Sequence, residues 1–169
     1  MRRLKRRGML GRVILVAPLR VCYNVWPDEI AKWSDFNGLT YAIVHGNTPA
    51  QKEKKLLQAL NRDVDIIITN FESLPWLLGL QSKQRSEFNT KRKKVTVDKR
   101  RWNSFGFNGL VVDELSKFKR YDTQRFKGMK QVLDTFSFRW GLTGSPAANS
   151  LLDLFGQCYI LDEGNALGR

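Results

Sequence analysis

A short apolar run that ends in two adjacent carboxylates constrains the fold of this chain more than any other feature. Residues 109–112 (GLVV) are followed directly by Asp113 and Glu114. A run this short is typical of a strand buried on both faces of a parallel sheet. Because ligands of open parallel sheets bind at the carboxyl ends of the strands, both acids are expected at a ligand crevice. The simpler alternative is an acidic helix N-terminus after the strand, where the helix dipole favours Asp and Glu.

Apolar strands and amphipathic helices alternate along the rest of the chain. The pattern predicts strands at 12–18, 39–44, 65–69, 110–113 and 138–142, and helices at 23–36, 49–60, 71–80, 123–136 and 150–160. Thr48 is the expected cap of the second helix, with Pro49 at its first position. Strands that alternate with helices imply an α/β fold with a parallel sheet, and 169 residues fit one domain.

The net charge of +13 is concentrated in two segments. Residues 1–12 contain six basic residues and no acid, and residues 81–103 contain nine basic residues and two acids, so the remaining chain is neutral. We interpret residues 1–11 as a basic arm and 81–104 as a basic surface insertion in a domain that spans 12–169. Cationic segments of this kind usually bind phosphate backbones, whereas the alternative is a frayed tail and a solvated loop that bind nothing specific.

The insertion supplies the best candidates for contacts with a phosphate backbone. They are Lys91, Arg92, Lys93, Lys94, Arg100 and Arg101. Trp102 and Phe105 are close enough in sequence to be candidates for base stacking.

Other classes of protein are disfavoured by what the sequence contains. The two cysteines and the single His45 have no metal-ligand spacing, so a structural zinc site is not expected. No apolar run is long enough to span a membrane. Two cysteines without a disulfide framework are typical of reduced thiols, and we expect a cytoplasmic protein.

Four segments then match one family in the correct order and spacing. Residues 13–33 resemble motif Ia, residues 65–74 motif Ib, residues 111–119 (VVDELSKFK) motif II and residues 139–149 (RWGLTGSPAAN) motif III. The chain thus resembles the first RecA-like lobe of superfamily 2 helicases, specifically the SNF2-type group and most of all the short forms carried by phages. The resemblance implies a RecA-like parallel sheet sandwiched by helices, and a phage protein that works in a bacterial host.

The resemblance also implies roles for individual residues. Asp113 would hold the Mg²⁺ of bound ATP through water, and Glu114 would polarise the hydrolytic water. The motif III residues that would couple the nucleotide site to the nucleic-acid track are Thr143, Gly144 and Ser145. The residues that would lie along the backbone of a nucleic acid, with DNA favoured, are Pro18, Leu19, Arg20, Thr69 and Asn70. The simpler alternatives are a turn at 143–146 and a helix cap at 69–70. Trp26 and Trp33 are expected in the core because they share a helical face.

Departures from the family pattern qualify the expected activity. Ser116 stands where the family often has His, and no stretch fits the phosphate-binding pattern G-x-x-x-x-G-K-S/T. The fold is therefore expected to be truncated at its N-terminus relative to the family, and the second lobe, with its arginine finger, is not part of this sequence. We expect a fragment of an SNF2-type ATP-dependent DNA helicase that is not an efficient ATPase by itself. The alternatives are a non-enzymatic nucleic-acid-binding module and a partner-binding decoy.

The missing phosphate-loop strand has a structural consequence. In the family that strand lies beside the motif III strand, so the edge of residues 138–142 should be unpaired. Because exposed edges invite pairing, we expect the N-terminal segment, a second copy or a further polypeptide to cover it.

Overall fold

The computed structural model of the chain describes residues 1–83, 94–146 and 152–166. The helices are α1 (Arg2–Arg6), α2 (Leu19–Asn24), α3 (Trp26–Lys32), α4 (Pro49–Asn61), α5 (Leu74–Leu77), α6 (Lys99–Ser104), α7 (Gln124–Met129) and α8 (Leu152–Asp162). The strands are β1 (Arg12–Ala17), β2 (Tyr41–Ile43), β3 (Ile66–Asn70), β4 (Gln81–Lys83), β5 (Lys94–Thr96), β6 (Phe107–Asp113) and β7 (Phe138–Leu142). Single 3₁₀ segments occupy Ser34–Phe36, Leu115–Phe118 and Lys130–Thr135. No described helix has the length and apolarity that a membrane span needs.

Five strands form one parallel sheet in the order β2-β3-β1-β6-β7. The central strands β1, β3 and β6 are almost entirely buried, which is why they read as continuous apolar runs in the sequence. The predicted α/β parallel fold is therefore confirmed, and each of the five predicted strands is present. Strands β4 and β5 form a separate antiparallel hairpin.

The core consists of two clusters, one on each face of the sheet. Ile14, Ile67 and Leu110 belong to the first cluster, which α4, α6 and α7 cover. Leu15 and Val111 belong to the second cluster, which α1, α2 and α3 cover. This division follows from the alternation of side chains along a strand, which sends neighbouring residues to opposite faces.

The single helix predicted at 23–36 is wrong. The structure has α2, which begins directly after Pro18, then α3 and the 3₁₀ turn Ser34–Phe36. Pro27 lies in the first turn of α3, and because proline has no backbone N–H it cannot continue a helix from the preceding turn. In contrast, α4 begins as predicted, with Thr48 and Gln51 forming a capping box.

The interpretation of 81–104 as surface needs correction at its C-terminal end. Trp102 is 1% exposed and Phe105 is 4% exposed, and the Trp102 ring packs against Phe107 and Phe136. Because both rings fill the first core cluster, they are not available for base stacking, and that expectation is wrong. Lys91, Arg92 and Lys93 lie outside the described residues, as does the side chain of Lys94, and Arg100 is exposed.

Strand β7 lies at the edge of the sheet. Among the described residues, β6 is the one strand that pairs with it. On one face of β7 the rings of Phe138 and Trp140 are stacked, with centroids 5.9 Å apart, and both pack against the second core cluster. Leu142, at the end of the same row, is 48% exposed.

Candidate functional site

Parallel register brings the predicted motifs to one edge of the sheet. Ala17 pairs with Asn70 and Asp113 pairs with Leu142, so the strands β1, β3, β6 and β7 end side by side. We call this the carboxyl edge and the opposite side the amino edge. The loops that carry the four motif segments all leave from the carboxyl edge, where ligands of open parallel sheets bind.

Asp113 is held by a tryptophan from the motif Ia segment. The indole N–H of Trp26, at the start of α3, donates a 3.0 Å hydrogen bond to Asp113 Oδ2. Trp26 is partly buried and packs against the second core cluster, as expected, but its polar N–H faces the carboxylate. The pairing of β1 with β6 makes this contact geometrically accessible, since α3 follows β1 after one short helix. Trp33, expected in the core, is instead 52% exposed.

Glu114 has an unusual backbone conformation. Its φ of 64° and ψ of 58° lie in the left-handed region, which costs a residue other than glycine roughly 1–3 kcal/mol. The hydroxyl of Ser116 donates to the Glu114 carboxylate. Glu114 precedes a 3₁₀ turn and its side chain does not cap it, so the acidic helix N-terminus considered above does not account for this pair. Strain of this kind is concentrated at functional sites.

The loop after Glu114 is packed from behind by α8 and β7. A side chain at Gly156 of α8 would collide with the carbonyl oxygens of Phe118 and Lys119, the latter 2.8 Å from an ideal Cβ. A side chain at Gly141 of β7 would meet Leu115 Cδ2 at 2.5 Å. Both glycines therefore permit a close approach that holds the loop after Glu114, the predicted motif II loop, against α8 and β7.

Thr69 and Asn70 do not present their side chains to solvent. Thr69 is 0% exposed and its hydroxyl donates to the Val44 carbonyl at 2.9 Å, while Asn70 is 3% exposed and its amide donates to Glu72 at 2.7 Å. The expectation that Thr69 and Asn70 lie along a nucleic-acid backbone therefore stays a prediction, and it now rests on their backbone groups because both side chains are buried. They do not cap α5 either, because the N-cap of that helix is Ser73. Within the described residues, Asn70 Oδ1 and Ser73 Oγ are buried without a hydrogen-bond partner.

The other motif residues lie at the carboxyl edge with different exposure. Arg20 and Leu19 are exposed at the start of α2, for which Pro18 is the N-cap. After β7, Gly144 and Ser145 are exposed. The buried hydroxyl of Thr143 has no hydrogen-bond partner among the described residues.

His45 lies in the loop after β2, on the same side of the sheet. The Tyr23 hydroxyl is 3.2 Å from His45 Nδ1, so the histidine interacts locally as expected. Burial lowers the pKa of His45, and the nearby Lys55 and Lys52 lower it further. The neutral imidazole is thus the favoured form near pH 7.

Arg101 is engaged inside the fold. Its guanidinium pairs with Glu53 at 2.7 Å and lies over the rings of Trp76 and Phe105, 5.2 and 5.5 Å from their centroids. Arg101 therefore ties α6 to α4, and of the two predicted cations on α6 only Arg100 is free in solvent.

The residues at the carboxyl edge fit one end of a magnesium nucleotide. Proteins bind the Mg²⁺ of a nucleotide through one or two carboxylates, and phosphates and water supply the other ligands. Asp113 fits such a ligand because Trp26 occupies one lone pair of Oδ2 only. No cluster of three or more His, Cys, Asp and Glu residues suited to a metal exists in the described part of the chain. The phosphate end is different, since no Gly-rich loop with the Lys-Ser/Thr pair is present in residues 1–169.

Comparisons with known proteins point to one family. A family model described as SNF2-related domain matches residues 2–165. The protein "Putative protein p41" of Acyrthosiphon pisum secondary endosymbiont phage 1 is 26% identical over 161 residues, which are 92% of this chain and 30% of that protein. Mouse "DNA excision repair protein ERCC-6-like 2" is 28% identical over 142 residues, 84% of this chain and 7% of that protein.

A solved structure is similar to this fold. It is titled "Sulfolobus solfataricus SWI2/SNF2 ATPase core in complex with dsDNA" and has a TM-score of 0.60 at 24% identity. The match covers 96% of this chain and 27% of that chain. At this identity the match supports the RecA-like fold alone. In all three comparisons, this chain spans less than a third of the length of the protein that it matches.

Proposed function

Because this chain belongs to the SNF2-related domain family, we propose that it is part of the first RecA-like lobe of an SNF2-type DNA translocase. In this proposal it contributes motifs Ia, Ib, II and III, with Asp113 as a magnesium ligand and Glu114 facing the hydrolytic water. When bound, magnesium ATP would supply the γ-phosphate whose hydrolysis drives translocation. The observation that carries the proposal is the paired Asp113 and Glu114 at the carboxyl edge, one held by Trp26 and the other in a strained backbone conformation.

The chain by itself is proposed to be a poor ATPase. Phosphate contacts from a Gly-rich loop, and an arginine finger, have to come from residues outside 1–169, in the same or another polypeptide. An arginine finger alone contributes roughly three to five orders of magnitude to the rate. We therefore expect turnover well below about one per second, with or without DNA. Turnover at or above that rate in a steady-state assay would contradict the proposal.

Nucleotide binding is the direct test of the half-site. A fluorescent ATP analogue with Mg²⁺ is titrated against the protein, against Asp113→Ala and against Asp122→Ala. Asp122 is a matched control because it is an exposed carboxylate nine residues away that pairs with Arg120. Binding that is lost in Asp113→Ala and kept in Asp122→Ala supports the proposal.

A second candidate is a non-enzymatic nucleic-acid-binding module, which is favoured by the net charge of +13. Its signature is the absence of nucleotide binding up to millimolar concentration, together with salt-dependent binding of duplex DNA. Arg20→Ala tests the proposed track, because Arg20 is the exposed cation at the carboxyl end of β1. Loss of about one phosphate contact should reduce the slope of log K against log salt by about 0.9. An unchanged slope would place the contact elsewhere.

A partner strand is the last part of the proposal. Among the described residues, no strand pairs with the outer edge of β7, which carries Phe138, Trp140 and the exposed Leu142 in one row. This edge is suited to a further strand and a covering helix from another polypeptide or a second copy. Two results together would contradict this expectation. The protein would stay monomeric at high concentration, and its β7 amides would still exchange hydrogen rapidly when candidate partners are added.

A further inference from the structure

Helix α8 has its polar and apolar sides reversed relative to a typical surface helix. Its amide side chain, Gln157, is 2% exposed and faces inward, where Nε2 donates to the carbonyl of Pro146 at 2.5 Å. Phe155, in contrast, is 38% exposed, and Leu154 and Cys158 are partly exposed. A surface helix normally turns polar residues outward and buries its apolar stripe. The outer side of α8 is therefore built like a surface that another element covers.

Three aromatic rings form a row along this outer side. Tyr121, which is 65% exposed in the turn before α7, meets Phe155 edge to face with ring centroids 6.3 Å apart. The Tyr159 centroid is 6.0 Å from that of Phe155, and Lys130 Nζ lies 4.5 Å from the Tyr159 centroid. We call Tyr121, Phe155 and Tyr159 the aromatic row. It begins at an exposed ring and ends at a cation.

The charge beside the aromatic row is positive. Lys127 and Lys130 are exposed on α7 and directly after it, and among the described residues neither forms an ion pair with an acid. Near Tyr121, the hydrogen bond from Arg120 and the positive charges of Arg120 and Lys127 lower the pKa of Asp122. Two cations thus act on one acid at that end of the row.

The two acids of α8 are already engaged. Asp153 pairs with Lys119 at 4.0 Å. Asp162 accepts hydrogen bonds from the backbone N–H groups of Gly164 and Ala166, each at 2.8 Å. Because their charge is partly met inside the chain, these acids oppose an acidic partner less than free carboxylates would.

The aromatic row is separate from the outer edge of β7. Tyr159 packs against the first core cluster, whereas Phe138 and Trp140 pack against the second. Since the two clusters lie on opposite faces of the sheet, a partner strand at β7 would leave the aromatic row exposed.

We propose that the aromatic row docks an amphipathic helix of an acidic partner protein. Side chains at i and i+4 of a helix have Cβ atoms about 5–6 Å apart, and two turns span about 11 Å. Ring separations of 6.3 and 6.0 Å therefore match apolar residues at i, i+4 and i+7 of a helix that lies along α8. One turn further, position i+11 reaches Lys130, where Glu or Asp pairs with the ammonium group. This is helix-in-groove recognition with a charged end.

Charge and shape favour this occupant over two others. A second copy of the chain carries the same net charge of +13, and like charges oppose each other across an interface. Nucleobases stack on rings, but Leu154 and Cys158 beside the row offer aliphatic and thiol groups that pack against apolar side chains of a helix. The inference goes beyond the proposed function, because it depends on neither the nucleotide site nor the nucleic-acid track.

The first experiment tests the charged end with a synthetic peptide of about 18 residues, long enough to form a helix. The peptide has Leu at i, i+4 and i+7 and Glu at i+11, and the matched peptide has Lys at i+11. Fluorescence anisotropy should show tighter binding of the Glu peptide, by about two- to fivefold as for an exposed ion pair. Lys130→Glu should reverse this preference. Lys54→Glu, an exposed lysine on α4, is the matched control and should keep it.

The second experiment tests the aromatic row itself. We expect Phe155→Ala, and separately Tyr121→Ala, to weaken binding of the Glu peptide by about tenfold or more, as for a central interface residue. Trp33→Ala is the matched control, because Trp33 is an equally exposed aromatic residue on another surface. Tyr121 lies in an exposed turn, so Tyr121→Ala tests the row in a folded protein even where Phe155→Ala destabilises α8.

The outcomes separate the possible occupants. No binding of the Glu peptide up to millimolar concentration, or equal losses in Tyr121→Ala and Trp33→Ala, would overturn the inference. A dimer in light scattering that Phe155→Ala dissociates would overturn it in favour of a second copy. Weaker binding of oligothymidylate in Tyr121→Ala would overturn it in favour of base stacking. Loss of nucleotide binding in Asp113→Ala is measured independently, so either proposal can fail while the other stands.

Discussion

The two edges of the sheet stabilise their polar groups in different ways. At the amino edge charges meet charges, as in the Lys5–Asp65 pair. Arg12 extends this network, because its guanidinium pairs with Asp63 and donates to the carbonyl of Phe105 at 2.5 Å. At the carboxyl edge Asp113 is held by a neutral indole instead.

The difference indicates which edge is complete. Three buried polar atoms at the carboxyl edge, Asn70 Oδ1, Ser73 Oγ and Thr143 Oγ1, have no hydrogen-bond partner among the described residues. Each unsatisfied buried group costs about 1–3 kcal/mol, and a polar ligand at that edge would reduce the cost. Left-handed residues other than glycine occur at both edges, Asp63 at the amino edge and Glu114 at the carboxyl edge, so backbone strain does not separate them. The difference lies in the three unmet hydrogen bonds at the carboxyl edge, which are typical of a binding site.

The largest effect on stability is expected from a substitution at the amino edge. Asp65→Ala removes a buried carboxylate that accepts from the backbone N–H and the hydroxyl of Thr40. Because these donors are left without a partner, we expect the free energy of unfolding to fall by about 2–3 kcal/mol in urea denaturation. Asp63→Asn is the control, since the Asp63 side chain is 92% exposed and Asn tolerates its φ of 47°. Equal losses in both variants would show that the amino edge is not specifically stabilised by Asp65.

Cys22 reports whether the carboxyl edge opens. It is 0% exposed at the base of that edge, and its thiol donates to the carbonyls of Ala17 and Thr69. Burial, the main cause, raises the pKa of Cys22 to about 11 from 9.0. The thiol stays protonated in the fold, so stability contributed by Cys22 is fully present below pH 9 and is lost between pH 9 and 11, where only the unfolded chain ionises.

Alkylation at pH 8 measures this difference in a Cys158→Ser variant, which retains Cys22 alone. A shift of two pKa units reduces the thiolate on the order of 100-fold, and burial slows the reaction further relative to the same chain in denaturant. The partly exposed Cys158, retained in a Cys22→Ser variant, is the control. Fast alkylation of Cys22 in the folded protein would mean that the carboxyl edge opens frequently and that Cys22 is not held in a closed core there.

Gly156 tests whether the loop after Glu114, the predicted motif II loop, depends on α8. Gly156→Ala places a methyl group against the carbonyls of Phe118 and Lys119, which are backbone atoms and cannot move independently. We expect a loss of about 2 kcal/mol, as for overpacked cores, together with weaker binding of magnesium nucleotide if the loop shifts. Gly144→Ala is the control for stability alone, because an added Cβ there has no atom within 4 Å, whereas its position in the predicted motif III makes it unsuitable as a control for nucleotide binding. If Gly156→Ala leaves the free energy of unfolding unchanged, α8 and the loop are not tightly packed against each other.

The sequence was sufficient for the sheet because each strand is a compact apolar run that is buried in the structure, as in residues 66–68 and 110–112. It was insufficient where a single residue changed the local outcome. Pro27 divides a helix that apolar spacing predicts to be continuous. Trp102 stands in a strongly cationic segment, yet its ring fills the core, because tertiary packing rather than local composition decides burial.

The contact between Trp26 and Asp113 could not be predicted from local sequence patterns either. The two residues are 87 positions apart in the sequence, and they meet only because β1 pairs with β6. The left-handed backbone of Glu114 has no signature in the sequence either, because that region is rare for residues other than glycine.

The smallest expected effect concerns that same bond, and a double-mutant cycle isolates it. Trp26→Phe keeps an aromatic ring in the second core cluster and removes the indole N–H, and Asp113→Ala removes the acceptor. We expect a coupling of about 0.5–1.5 kcal/mol in unfolding free energy between the two substitutions. Trp33→Phe in the same cycle should give a coupling near zero, because Trp33 is exposed and donates to Glu29 rather than to Asp113. A coupling near zero for Trp26 as well would mean that the hydrogen bond does not hold Asp113 in place. The carboxyl edge would then lack the preorganisation that distinguishes a binding site from an exposed cluster of loops.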